Sequence, residues 1–493
     1  MPDTLESQYT LIIVSAIASI AIISGAAYLL LTRRKVIFTT IQVITLCALT
    51  GFGLISLVKI NTDFTAFAKR RQDGGQSLEN IAPVFKFSKT GKNVLVIMLD
   101  RASSGYVPYI FEEKPELFTG FDGFTYYPNC VSFGSHTRIG APPLFGGYEY
   151  IPSLIQKTLT MARTKHNEAL LMMPKLFADA GYSATVTDPS LANYSLRPDL
   201  SIYSGYPEIH AENILGKYSG EWLKAHSDIQ ILSISSLLNT LLIRFSFFKI
   251  APPIFRIFLY DKGEWLTIDD NASTELPLDS IDDYTTLDFL PQITVTTAEN
   301  QNTYTAMVNE LTHHPVYLQA PDYVPATIVS NRGTGPFADE PNYHVIIAAF
   351  ILLENWFNYL REQQVYDNTR IIIVSDHGIG ARSAFPNNIT LPNGDCIQSY
   401  NPILLQKDFN TQGELITDST FMTNADVPVL ATAGLIENPI NPFTYIPLQT
   451  QKENGVTITT ASVLNYTIAP DEWLHVHDNI FDPSNWEKAE VSR

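Results

Sequence analysis

Two uncharged apolar runs open the chain, 11–31 and 36–58, with the basic triplet Arg33-Arg34-Lys35 between them. Each is long enough to cross a bilayer core, for which about 20 apolar residues suffice. Together they predict a transmembrane helical hairpin over 1–60 that leaves the N-terminus and the rest of the chain on one side of a membrane. A secretory leader fits poorly, because Asp3 and Glu6 stand where basic residues belong and the run is too long. Charge leaves the orientation open. The basic triplet favours a cytoplasmic loop, whereas Lys59, Lys69, Arg70 and Arg71 pull the other way. Residues 61–92, with Gly74-Gly75 and Pro83, read as a linker.

From Asn93 the pattern alternates strands and helices. Two continuous apolar runs of strand length end at Asp100 and at Asp376-His377, and runs of this kind read as fully buried parallel strands. The stretch after the first strand, to Tyr150, reads as loop-rich. A helix over Glu168–Ala180, stopped by Gly181, precedes a strand over Tyr182–Thr187. Val345, Ile346, Ala349, Phe350 and Leu353 recur on a 3.6 period and predict a helix over Tyr343–Gln363 that feeds the strand ending at Asp376. Asp426–Gly434 reads as helical and Gly455–Ala469 as β-rich. This order predicts an α/β domain over 93–440, a mostly parallel sheet with helices on both faces, followed by a β-rich extension over 441–493. The apolar segment Ile229–Tyr260 carries Arg244, Lys249, Arg256 and Pro252-Pro253. It reads equally as a membrane-interface helix or as a core helix followed by a loop.

In open α/β sheets the working site lies beyond the carboxyl ends of the strands. Asp100, Asp376 and His377 are therefore expected in one crevice, and two carboxylates with an imidazole suit a divalent metal, zinc or manganese. Taken alone, Asp100 also fits a helix cap. The net charge of −18 argues against nucleic acid as a partner, because phosphate contacts need a basic face. The 45% hydrophobic and 17% charged content fits a globular chain with membrane material. Cys47 lies in an apolar run, and Cys130 and Cys396 read as free thiols in preference to a disulfide.

A third string, Ser135-His136-Thr137-Arg138-Ile139-Gly140-Ala141-Pro142-Pro143-Leu144-Phe145, follows the first strand closely enough to fold over the same crevice. Asp100, this threonine segment and Ser375-Asp376-His377-Gly378 come in that order. Val365-Tyr366-Asp367-Asn368-Thr369, His313-His314-Pro315 and Asp426-Val427-Pro428 complete the set. Over roughly Asn93 to Leu435 the chain resembles the alkaline phosphatase superfamily. Within it, the chain resembles the membrane-bound branch of lipoteichoic acid synthases, phosphoglycerol transferases and phosphoethanolamine transferases.

The resemblance implies one divalent ion, manganese or zinc, held by Asp100, Thr137, Asp376 and His377. It makes Thr137 the nucleophile and His313 a residue that binds the transferred group or protonates a leaving oxygen. Arg138 is not part of the resemblance, but its place next to Thr137 makes it a candidate for a phosphate contact. The resemblance further implies a phospholipid donor, a glycan or lipid acceptor, a phospho-threonine intermediate and a multi-pass protein of the cytoplasmic membrane whose catalytic domain is extracytoplasmic. Rival readings are a metal-dependent phosphodiesterase, phosphatase or sulfatase-like ester hydrolase, and a non-catalytic membrane binding protein. Three departures matter. Neither Cys130 nor Cys396 stands in a Cys/Ser-x-Pro-x-Arg motif. After His377 the next histidine is His475, so a complete second metal site is not expected. Ile379-Gly380-Ala381-Arg382 replaces the acidic residues usual after this string in phosphoethanolamine transferases. His136 is expected as a loop residue, His314 as exposed, and His475 and His477 as surface histidines.

Overall fold

The computed structural model describes residues 35–73, 82–229 and 276–491, apart from 159, 277, 381–384, 387 and 462–471, with scattered positions at 13–34 and 248–256. The chain divides into two compact units, Met1–Gln76 with Gln230–Glu275, and Ser77–Ile229 with Leu276–Arg493.

In the first unit, α1 (Lys35–Asp73) is one continuous helix. Among its described apolar side chains, Val36, Ile44, Phe52, Ile55 and Val58 are exposed. Lys35–Gly53 has a mean hydropathy of 1.8, and among the described residues it is the one helix long and apolar enough to cross a membrane. Ile20–Leu29 is a shorter apolar helix. Most of the rest of the first expected span, and nearly all of Ile229–Tyr260, lie outside the described residues. The expected linker is corrected at both ends. It begins inside α1, which runs on to Asp73, and it ends in a strand, Phe85–Ser88, paired in parallel with Thr294–Thr297. Phe85 and Phe87 are fully buried against Trp356, with ring centroids at 5.5 and 6.0 Å. That packing outweighs the glycine and proline signals upstream.

The second unit is built on an eight-stranded sheet. Its strands are β1 (Asn93–Leu99), β2 (Phe124–Tyr126), β3 (Ser183–Thr187), β4 (Ile209–Glu212), β5 (Thr303–Asn309), β6 (Thr369–Val374), β7 (Leu404–Lys407) and β8 (Ile416–Thr417). They lie in the order β8-β2-β7-β6-β1-β5-β3-β4. The five from β6 to β4 run parallel, and β7 is antiparallel to both its neighbours. The mixed α/β fold with a largely parallel central sheet is the architecture the sequence predicts.

Both faces of the sheet are covered. Leu95, Ile97 and Leu99 of β1 point into one core, which includes much of helix Pro341–Glu362. Val94, Val96 and Met98 point into the other, built with α2 (Thr137–Gly146) and α3 (Ala162–Asp179). Period-2 alternation thus feeds two hydrophobic layers, and each residue of β1 is buried. We label the two helices on the first face α4 (Leu278–Asp288) and α5 (Pro341–Glu362). Near the C-terminus, Val456–Thr459, Trp473–Val476 and Trp486–Lys488 form a separate antiparallel sheet. It shares a core with Val131, Phe133 and Tyr148, the residues flanking α2. The cysteines are free.

The segment expected as loop-rich contains α2, whose interior holds Pro142 and Pro143. Prolines there remove two helical donors, which is why the sequence pattern did not read as a helix. The helix survives because tertiary contacts hold it. A Cβ placed on Gly140 would stand 2.2 Å from the main-chain oxygen of Asp376, so α2 lies directly on the end of β6. Asn424 Nδ2 donates to the main-chain oxygens of both Gly140 (3.0 Å) and Asp376 (2.9 Å) and locks the contact. Gly140→Ala is expected to lower stability by about 1–3 kcal/mol, the usual range for overpacking, despite the roughly 1 kcal/mol by which alanine favours a helix. A denaturant titration showing unchanged or raised stability would refute the close contact.

Candidate active site

Register brings the acids together. Met98 pairs with Val374, the last residue of β6, so Asp100 and Asp376 each lie two residues beyond a matched pair, on neighbouring strands. The backbone then turns sharply: Arg101 has a φ of 64°, uncommon for a residue with a side chain. That turn lets Arg101 N–H donate to Asp376 Oδ1 at 3.1 Å. His377 N–H donates to the same oxygen at 2.9 Å. With Ser375 Oγ also donating at 3.3 Å, Asp376 Oδ1 is therefore fully occupied. Asp376 Oδ2 is buried and has no hydrogen-bond partner; it lies 3.6 Å from His377 Nε2. His377 Nδ1 donates to the main-chain oxygen of Gly378 at 2.7 Å. That bond fixes the tautomer and leaves the Nε2 lone pair free to bind.

The third element is α2. Thr137 is its first residue, and its hydroxyl stands 3.3 Å from Asp100 Oδ2 and 3.5 Å from His377 Nε2. Asp100 Oδ1 is buried without a partner, like Asp376 Oδ2. Ligand atoms of Asp100, Asp376 and His377 all fall within 4.8 Å of one another. Two orphaned anionic oxygens and one oriented imidazole nitrogen fit a divalent cation, since buried carboxylates without a partner are costly. Electrostatics agree: burial first, then Asp376 and Glu310, push the Asp100 carboxyl well above its ordinary value. The donor set does not choose between manganese and zinc.

The structure gathers Asp100, Thr137, Asp376 and His377 in one crevice. His313, half-buried, joins its rim: its main-chain oxygen accepts from Arg101 Nη1 at 3.4 Å. Burial, Arg101 and His314 bring the His313 imidazole down to about 4. Arg138 is exposed, and its guanidinium lies 5.1 Å from the Tyr194 ring centroid. His136 is, as expected, an exposed loop residue, the N-cap of α2, with its ring centroid 6.4 Å from that of His377. One minor expectation is corrected. His314 is turned inward, with Nε2 3.8 Å from the buried Asp283 Oδ2. His477 pairs with Asp478 at 2.8 Å, and His475 lies 3.3 Å from Thr457 Oγ1. Neither joins a group of metal-ligating side chains among the described residues.

Sequence reasoning missed Arg101, Glu310 and Asn424. Glu310 follows β5 directly, and burial, Asp376 and Asp279 raise its carboxyl to about 7. The strand-end rule applied to Asp100 would have found it. However, Thr303-Tyr304-Thr305-Ala306-Met307-Val308-Asn309 mixes hydroxyls with apolar residues and does not read as a buried strand.

No family model matches the chain, and no curated protein matches it. Among solved structures, the chain is similar to the lipoteichoic acid synthase LtaP from Listeria monocytogenes (TM-score 0.44, 10% identity, 82% of this chain and 88% of that one). It is similar to a protein of the alkaline phosphatase superfamily from Vibrio parahaemolyticus (0.43, 12%, 86% and 91%). It is also similar to the periplasmic domain of EptC from Escherichia coli in complex with zinc (0.34, 10%, 69% and 80%). These fall within the group that the motifs resemble, the sulfatase-like branch of the alkaline phosphatase superfamily, and the neighbouring solved structures include enzymes of it. At such scores the likeness adds no weight of its own, and the functional reading rests on the crevice.

Manganese or zinc is expected to raise the thermal unfolding midpoint of the protein, since a ligand at about 1,000 times its Kd stabilises the folded state by roughly 4 kcal/mol. Asp100→Asn and Asp376→Asn should each abolish most of that shift. A shift retained in full by both variants would place the metal elsewhere.

Proposed function

We propose that this chain is a membrane-anchored, metal-dependent phosphotransferase that moves a phospholipid-derived phosphoglycerol or phosphoethanolamine group through a phospho-threonine intermediate to a glycan or lipid acceptor. The observation that carries this reading is the Thr137 hydroxyl, held at the N-terminus of α2 within 3.5 Å of both Asp100 and His377.

Asp100, Asp376 and His377, with Thr137 as a fourth ligand, would hold one divalent ion, manganese or zinc. Such an ion would supply positive charge that favours an ionised hydroxyl and offsets charge on phosphoryl oxygens. The remaining work falls to the side chains. Thr137 Oγ1 forms the new bond to phosphorus, the bond from phosphorus to the diacylglycerol oxygen breaks, and that oxygen leaves with a proton. The acceptor hydroxyl then reverses the exchange and frees Thr137. The N-terminus of α2 adds the favourable end of a helix dipole to a phosphoryl group carried on Thr137. His313, neutral near pH 7 with its value at about 4, binds a phosphoryl oxygen as a hydrogen-bond donor, which makes the role of general acid the weaker of its two expected roles. Arg138 adds a charged phosphate contact.

The anchor in this reading is the hairpin of two spans, 11–31 and 36–58, in the cytoplasmic membrane. The catalytic domain over 93–440 and the extension over 441–493 lie on the extracytoplasmic side. The exposed apolar surface of α1 supports it.

The test is the mass of the Thr137 peptide after the full-length protein has been incubated with manganese and mixed phospholipids and quenched in acid. A headgroup-sized adduct, absent in Thr137→Ala, is expected, and its mass identifies the transferred group. Released headgroup without acceptor product identifies a hydrolase. Neither adduct nor release would sink the proposal.

A further inference from the structure

The loop that follows β3 is bent in an unusual way. Asp188, Leu191, Asn193 and Tyr194 have φ values of 47°, 50°, 58° and 56°. None is a glycine, and backbone of this kind persists only where its surroundings fix it. Helix α3 does the fixing. His166, buried in α3, donates from Nε2 to the main-chain oxygen of Ser190 at 2.9 Å. Its neighbour Asn167 accepts from Asn193 N–H at 2.8 Å. From below, Asn193 Nδ2 donates to Asp199 Oδ2 at 2.8 Å, and both Asp188 oxygens accept from Ile214 N–H at 3.1 Å.

At the end of this loop the Tyr194 ring lies near both the His166 imidazole, with centroids 5.3 Å apart at 66°, and the Arg138 guanidinium, 5.1 Å from the ring centroid. Arg138 is the residue after Thr137 and is exposed. A long exposed arginine samples many rotamers, and an aromatic face narrows them while leaving the N–H edge free for an anion. Burial brings His166 down to about 4, so the ring behind Tyr194 adds no competing positive charge near pH 7.

We propose that Tyr194 is a positioning residue: the strained loop 188–194 holds its ring so that Arg138 is presented beside Thr137 as a phosphate-binding arm. The inference rests on the phosphoryl-transfer reading of the same crevice, and it assigns to the loop after β3 the task of keeping the substrate phosphate in place.

The experiment is a double-mutant cycle on the full-length, manganese-loaded protein, with inorganic phosphate as the probe and calorimetry as the readout. Tyr194→Leu should weaken phosphate binding about three- to tenfold, the range expected for a lost cation–π contact. Arg138→Gln should weaken it about tenfold or more, and the double variant no further than Arg138→Gln alone. Tyr194→Phe, which keeps the ring, should bind within about twofold of the unaltered protein. In headgroup release, Tyr194→Leu should raise KM and leave kcat nearly unchanged. Thermal unfolding checks that Tyr194→Leu still folds. If it does not, Tyr194→Trp carries the test, and it should bind phosphate at least as tightly as the unaltered protein. Losses that multiply in the double variant, unchanged binding in Tyr194→Leu, weakened binding in Tyr194→Trp, or an unaltered protein that binds no phosphate would each overturn the proposal. Phosphate binding that follows the cycle in a protein that forms no Thr137 adduct would instead refute the transfer reading and leave the Tyr194–Arg138 arm standing.

Discussion

Two carboxylates buried side by side are the constraint around which this domain is arranged. Asp100 and Asp376 lie at the ends of adjacent parallel strands, are 3% and 0% exposed, and each keeps one oxygen without a hydrogen bond. Like charges at such a place repel and lose their hydration, so the surroundings must compensate. The chain does so in part with main chain: Arg101 and His377 amides serve one oxygen of Asp376. Asp376 Oδ2 and Asp100 Oδ1 are left without a partner, as a cation would require. The turn at Arg101, the tautomer of His377 and the seat of α2 all follow from holding that arrangement open toward a ligand.

The same constraint explains the helix that carries Thr137. Two prolines make α2 a poor helix by propensity, and local sequence alone would not keep it. It is kept by the backbone contact at Gly140, by the two hydrogen bonds of Asn424, and by the C-terminal sheet that shares a core with the residues on either side of it. The position of Thr137 is thus set by segments distant in sequence, from β6, from the region near Asn424 and from the strands after Val456.

This division decides what could be read from the sequence. Runs such as Val94–Leu99 and Ile371–Val374 are apolar because both their faces are covered, so the parallel sheet and the meeting of Asp100 with Asp376-His377 were legible from one-dimensional pattern. β5 was hidden, because it buries hydroxyl-bearing residues among its apolar ones, Thr303 with Asn93 as partner at 2.8 Å, and polarity alone misreports burial there. With β5 went Glu310. The strand Phe85–Ser88 was hidden for a related reason: four residues give too short a pattern, and only the partner ring of Trp356 shows that Phe85 and Phe87 face a core. Arg138 was legible as a neighbour of Thr137. Its partner Tyr194 was not, because nothing in spacing links a residue of α2 to a loop beyond α3.

Because the seat of α2 is main chain against main chain, the cradle does not depend on the chemistry of residue 137. The glycine contact and the Asn424 bonds would be untouched by removing the threonine hydroxyl, and the carboxylates, the imidazole and the arginine would keep their places. A version of this domain without that hydroxyl would therefore keep its buried acids, its oriented imidazole and the helix end above them. In the proposed reading, one substitution at residue 137 separates binding from covalent transfer.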